Sequence, residues 1–331
     1  MTSKLERRYR VLLRLLPGWY REKRADEMVD TFISGRPDDV DQEHGWPGWA
    51  EAGAVAALAV RTRLSGADGP PRAVALGGAV RLVAMIGLLA HAVLSVGDIV
   101  RAVSTQLIPP LGLEPTSYFW RSAAGVAAVG AFVLIFTRWR GTAKALAVTA
   151  VVPTLFDLVI TLGSSPPADA VLWQLSALAP LWIATICLFV GFHREAPVPW
   201  PRVWVWAAVI GAAVVLAWNW YARFVVTDVA GLWLNPWSLQ NWVIVFAGLA
   251  VLALGIPPYV RLGLATYIAL TLPQAAVAGF QMAGLTSTGV LVSLAISGVT
   301  CLVLVGIALA VTGARGHLAL SAGDEPFREA V

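Results

Sequence analysis

Charge is scarce in this 331-residue chain: Asp, Glu, Lys and Arg make up 13% of it, where a soluble domain carries about a quarter. Cysteine is scarcer still. Cys187 and Cys301 are the two present, both inside apolar runs, so a disulfide framework is excluded and both read as small buried hydrophobes. The first 70 residues lack the apolar core of a cleavable signal peptide, so the first apolar helix is expected to act as the insertion signal. No phosphate-cradling Gly-x-x-x-x-Gly-Lys-Ser/Thr loop occurs, which argues against ATP hydrolysis by this chain. The four histidines, His44, His91, His193 and His317, are scattered and form no metal-binding spacing. There is no Gly-x-Ser-x-Gly elbow. The expectation is a chain that is not an enzyme and that needs neither metal nor cofactor.

Apolar residues are what fill it, at 58% of the sequence, with a mean hydropathy of +0.71. That is the composition of a multipass membrane protein. Residues 1–66 hold 11 Lys/Arg and 10 Asp/Glu, so this segment is near neutral. The formal net charge of +4 therefore comes from basic loops rather than a nucleic-acid patch, and no direct nucleic-acid binding is expected. The expected layout is a helical head over 1–66, a hinge over 67–72, an apolar bundle over 73–313 and a tail over 314–331.

The head reads as three short amphipathic helices. Ser3 and Glu6 form a capping box, after which Leu5, Tyr9, Leu12, Leu13 and Leu16 recur at helical spacing. Pro17-Gly18 should break this helix. A second follows with Ala25, Met28, Val29, Phe32 and Ile33 on one face, and Gly35 is placed to stop it. Residues 36–46 make an acidic loop. Pro47 suits the first turn of a third helix reaching about Leu64. Three readings are open: a solvated stabilising domain, helices lying on the membrane surface, or a docking module for a soluble partner.

The run Tyr9 to Phe32 carries a resemblance. Tyr9, Leu12, Leu13, Arg14, Leu15, Leu16 and Pro17, then the aromatics Trp19 and Tyr20, then Glu27, Met28 and Phe32, resemble the short N-terminal helical domain of actinobacterial multipass membrane proteins. That domain is similar to HAAS-type signalling domains and to the prefix domain of some ABC permeases. The resemblance covers residues 1–66, about a fifth of the chain. It implies association with a cytosolic, PadR-type transcriptional regulator, and hence a sensing or regulatory role. Tyr9, Arg14, Trp19, Tyr20, Glu27, Met28 and Phe32 would then form the partner-docking head. The remainder departs from permeases of that kind, because no large extracytoplasmic domain follows.

A span needs about 20 mainly apolar residues. Eight stretches qualify: 73–97, 117–138, 143–163, 170–191, 202–224, 239–257, 259–281 and 289–313. With the head inside the cell, Arg138, Arg140, Lys144, Arg194, Arg202, Arg261 and Arg315 fall on the inner side, and every crossing obeys the positive-inside bias. The expected fold is an all-α polytopic bundle in the cell membrane, in contact with membrane lipids, with both termini cytoplasmic. Arg81, near the inner end of the first span, is expected to snorkel.

Polar residues inside the spans are the candidate sites. Asp157 is a carboxylate deep in the third span, and Arg121 and His91 lie at similar depth in the second and first. An Asp157–Arg121 pair, joined by His91, is either a static internal ion pair or a coupling site for protons or ligand. Trp218, Trp220, Trp233, Trp237 and Trp242 gather around the loop after the fifth span. They read either as an interfacial aromatic belt or as an outer-leaflet pocket. Two functions are expected from this pattern: a membrane sensor or regulator, and as the alternative a transporter or permease-like subunit using Asp157.

Overall fold

A computed structural model of the chain describes residues 4–35, 45–65, 70–107, 115–164, 168–193, 196, 201–224, 256–283 and 306–319. All regular structure among the described residues is helical. The sixth expected span, the loop bearing Trp233, Trp237 and Trp242, and Ser3 of the capping box lie outside them. The chain divides into two units, one carrying Met1–Gly78 and the other Ala79–Ala322.

The first unit holds α1 (Lys4–Leu12), a 3-10 turn (Leu13–Leu15), α2 (Gly18–Ser34) and α3 (Trp49–Ser65). Leu16 adopts an extended ψ of 147°, as expected where a proline ring crowds the residue before it, and the 3-10 turn that continues α1 ends there. Tyr9, Leu13, Leu16, Val29, Val55 and Ala59 make the core, and Met28, Phe32 and Tyr20 pack against it. The ring of Tyr9 stacks on Phe32 with centroids 4.0 Å apart. The third helix begins at Trp49 rather than at Pro47. Gly48 sits at a φ of 95°, a left-handed turn that separates the proline from the first helical residue. Gly35 does follow the end of α2, but at a φ of −80° and so without a left-handed cap.

The 37-residue helix α4 (Pro71–Leu107) starts in the first unit, and the second unit is organised around its portion from Ala79 on. Around it lie α5 (Pro115–Ile135), α6 (Arg140–Gly163), α7 (Ala168–Gly191), α8 (Pro201–Phe224), α9 (Pro258–Ala283) and α10 over 306–319. Glycines set the spacing. A Cβ on Gly87 of α4 would lie 2.5 Å from the Ala184 Cβ of α7. One on Gly125 of α5 would lie 2.9 Å from the Ser95 Cβ, and one on Gly211 of α8 would lie 3.1 Å from Val93. One on Gly263 of α9 would lie 3.1 Å from the Ala79 carbonyl oxygen. Four helices thus approach α4 closely because one partner at each crossing lacks a side chain.

Alanine continues the pattern. Ala143 and Ala147 on α6 are fully buried beside Ala131 and Phe132 of α5, in a core that also takes in Leu88, Leu181, Leu188 and Phe192. On α10, Ala308, Thr312 and Gly316 fall on one stripe and are buried, and a Cβ on Gly316 would lie 3.3 Å from the Pro258 carbonyl oxygen.

The outward faces are apolar. On α6, Val152, Leu155, Phe156, Val159 and Ile160 are all exposed, Phe156 at 65%. On α8, Val203, Trp206, Val209 and Ile210 are exposed. A continuous apolar stripe of this kind suits hydrocarbon and would be an aggregation patch in water. Two helical segments, Pro71–Val100 and Arg140–Gly163, are long and apolar enough to cross a membrane among the described residues. Membrane association and an all-α fold follow.

The glycine crossings give a paired test. Gly87→Ala should cost about 1–3 kcal/mol, because Ala184 and the backbone behind it must shift. Gly53, on an exposed turn of α3 with nothing near its position, should accept alanine with a gain of about 0.5–1 kcal/mol. Thermal unfolding of the full chain in one detergent reads both. An unchanged midpoint for Gly87→Ala, or a lowered one for Gly53→Ala, contradicts the packing described.

Candidate functional site

Two regions carry chemistry, one in each unit. In the first unit the resemblance positions separate by exposure. Tyr9 is 2% exposed and forms the core with Tyr20, Met28 and Phe32 packed around it. Trp19 is half-buried, its ring edge-on to Tyr20 at 5.6 Å. Arg14 and Glu27 point outward, and Glu27 accepts from Arg24 at 2.8 Å. The aromatic and apolar members of the motif therefore build the head, and the charged members decorate it.

One buried polar contact fixes α1 against α3: the Tyr9 hydroxyl donates to Glu51 Oε1 at 3.1 Å. Burial first, then this hydrogen bond and the adjacent carboxylate charge, push the Tyr9 hydroxyl up to about 12. Arg8 donates to the Gly45 carbonyl at 2.7 Å and holds the segment leading into α3. Beyond that segment an aromatic pair stands in the open. Trp46 and Trp49 lie 5.7 Å apart between ring centroids, and Trp49 is 84% exposed. Sequence reasoning passed over this pair, since Trp46 closes an acidic loop and Pro47 drew attention to the helix start. The signal was there: two tryptophans three residues apart, flanking Pro-Gly, in a segment with few other large aromatics.

In the second unit, α6 carries a polar stripe. Thr154, Asp157 and Thr161 recur at helical spacing and are half-buried. Trp182 of α7 donates from Nε1 to Thr154 Oγ1 at 2.9 Å, and Thr161 Oγ1 donates to the Asp157 carbonyl at 2.8 Å. Asp157 therefore sits one turn along from the point where α7 makes its polar link to α6. His91 is half-buried on α4, and among the described residues no hydrogen bond or ion pair joins it to Asp157. Arg121 lies within α5, with its side chain outside the described residues. Of the aromatic cluster, Trp220 is exposed near the end of α8, and the side chain of Trp218 is outside the described residues.

A cation-rich end of this unit was read only as loop charge. Arg140, the first residue of α6, donates from Nη1 to the His193 carbonyl at 2.5 Å and from Nη2 to the Ala196 carbonyl at 2.6 Å. Lys144 Nζ lies 3.4 Å from the Phe189 carbonyl and 5.4 Å from the centre of its ring. Lys144 meets the last turn of α7, where helical carbonyls lack partners and the dipole is negative, and Arg140 holds the segment just beyond it. Arg81 lies within electrostatic reach of Arg140 and Tyr259 at the same end. These residues staple helices together rather than form a reaction centre. No cluster of His, Cys, Asp or Glu able to hold a metal occurs among the described residues.

Comparison with known proteins returns no matching family model, no matching curated protein and no matching solved structure.

Tyr9 supplies a pH test. Its hydroxyl is held protonated in the folded head, so the stabilisation it gives is complete below pH 10 and is lost as pH rises from 10 to about 12. Tyr9→Phe should be less stable at neutral pH and should show a shallower decline across that window. Near-ultraviolet circular dichroism of the full chain against pH reads the difference, and parallel curves for the two proteins would refute it.

Proposed function

We propose that the chain is a multipass cell-membrane protein that senses or regulates, with both termini in the cytoplasm and about eight crossings behind the head. The head docks a soluble partner, and the resemblance of its motif makes a PadR-like transcriptional regulator the foremost candidate. The observation that carries this reading is a head with its own core, separate from the apolar unit, that spends two tryptophans on its surface. Trp49, 84% exposed, costs solvation and adds little packing within the head, whereas Trp is the residue most enriched where binding energy concentrates. The positive-inside bias of Arg138, Arg140, Lys144, Arg194, Arg202 and Arg261 supports the orientation.

A transporter reading draws on a different observation, the half-buried Asp157 on a stripe that includes Thr154 and Thr161. One carboxylate among apolar residues is costly and marks an ion or proton path in many membrane proteins.

A single set of strains separates these readings. Trp49→Ala in the full-length chain should reduce co-purification of a DNA-binding regulator at least tenfold, about 1.4 kcal/mol of docking energy, and should alter the regulator's target transcripts. Asp157→Asn should leave both unchanged and should leave solute flux in reconstituted vesicles unchanged. Retention of no DNA-binding protein by the parent chain, with unaltered transcripts on deletion, would sink the regulatory reading. Loss of flux in Asp157→Asn would establish transport.

A further inference from the structure

The exposed side of α1 has a composition unlike any other surface of the head. Its inward side is Leu5, Tyr9, Leu12 and Leu13. Its outward side presents Lys4, Arg7 and Val11, with Arg8 and Arg10 at the edges, and the 3-10 turn continues it with Arg14 and Leu15. Val11 is 52% exposed and Leu15 45%. Over residues 4–15 there are five cations and one acid, Glu6, which is taken up by Arg10 at 3.1 Å. The head is close to neutral as a whole, so this is a segregation of charge, with Asp26, Glu27 and Asp30 on α2 balancing it.

Among the described residues, the side chains of Arg7, Arg14 and Arg21 make no ion pair or hydrogen bond. Arg14 and Arg21 flank a shallow groove of about 400 Å³ whose other lining residues are Arg10, Leu13 and Ala25. Its lining combines three arginines with two apolar side chains, and Arg10 there is ion-paired to Glu6 and to Asp26. Distance argues for what covers this side. Five residues separate Ser65, the end of α3, from Pro71, where a candidate membrane-crossing helix begins. Five extended residues reach about 17 Å. A bilayer crossed by α4 is thus tied to the end of α3 by five residues of chain.

We propose that this side of α1, with the 3-10 turn and the start of α2, lies on an anionic bilayer surface, with Arg7, Arg14 and Arg21 at the lipid phosphates and Val11 and Leu15 among the upper acyl carbons. Cations interleaved with aliphatic side chains on one helical face match a layer of negative headgroups over hydrocarbon. An acidic protein would satisfy the arginines but would leave Val11 and Leu15 without an apolar counterpart. The inference rests on the head lying beside a membrane and not on the docking of a regulator.

The test uses the full-length chain in lipid nanodiscs, with Cys187 and Cys301 replaced by alanine and an environment-sensitive fluorophore on Val11→Cys. Nanodiscs of phosphatidylcholine alone are compared with discs doped with phosphatidylglycerol. The expected result is a blue-shifted, brighter emission in the anionic discs only, reversed by high salt. A fluorophore on Asp30→Cys should not respond. The triple change Arg7→Gln, Arg14→Gln, Arg21→Gln, at exposed or half-exposed positions outside the core, should lower the docking constant about a hundredfold, at about fivefold per cation. Hydrogen exchange of residues 4–15 in the unlabelled chain repeats the comparison without the cysteine changes and should slow in anionic discs. Equal emission and equal exchange in the two disc types overturns the proposal, as does a change produced only by adding an acidic protein. A lipid response without capture of a regulator counts against the proposed function alone, and capture without a lipid response counts against this inference alone.

Discussion

Helices cannot rely on the hydrophobic effect to find one another in hydrocarbon, because the solvent is as apolar as they are. What remains is contact, and contact requires that backbones come close. The second unit meets this constraint at α4. Gly125, Gly211 and Gly263 each present a bare backbone to it, and Gly87 presents its own to Ala184. The alanines of α5 and α6 extend the same solution to a second crossing. Large side chains complete the same core: Leu88, Leu188, Phe132 and Phe192 are buried with the alanines. Small polar side chains enter this packing, Ser95 at the Gly125 crossing and Thr312 on the buried stripe of α10. Thr154, Asp157 and Thr161 run along the edge of the α6–α7 contact, and Arg140 with Lys144 closes its end.

The head is built on a different principle. Its helices are short, and none would be stable alone in water. Burial of Tyr9, Leu13, Leu16, Val29, Val55 and Ala59 in one core holds them together, with the Tyr9–Glu51 hydrogen bond fixing α1 against α3. Such a core leaves the outer side chains of α1 and the Trp46–Trp49 pair free of structural duty. The two surfaces differ in kind, one cationic and aliphatic, the other aromatic.

Much of this was legible in the sequence, and the parts that were not share a cause. The head core was readable because Leu5, Tyr9, Leu12, Leu13 and Leu16 obey helical spacing, and Pro17 dictates the break by local sterics alone. Apolar length placed the helices at 140–163, 168–191 and 201–224 to within a few residues. Length alone did not foresee that α4 runs on to Leu107, since its last turns hold polar residues that end an apolar run without ending a helix. Likewise α10 continues to 319, past the expected end of the last span at 313. The start of α3 was missed by two residues because a left-handed glycine between Pro47 and Trp49 is invisible in pattern. The carbonyl contacts of Arg140 and the partners of each glycine depend on which helices are neighbours, and no one-dimensional pattern in this chain encodes adjacency. The same limit applies to Asp157: its depth could be read, but not that Trp182 reaches the threonine one turn away.

The length of α4 has a geometric outcome of its own. At a rise of about 1.5 Å per residue it measures about 55 Å, against a hydrocarbon layer of about 30 Å. A rod of that length exceeds the hydrocarbon layer by about 25 Å, and its glycine contacts, at Ala79, Gly87, Val93 and Ser95, all lie before its last three turns. A mast of that kind is stiff and anchored by four neighbours. A push on its tip would be felt as a tilt at every glycine crossing below.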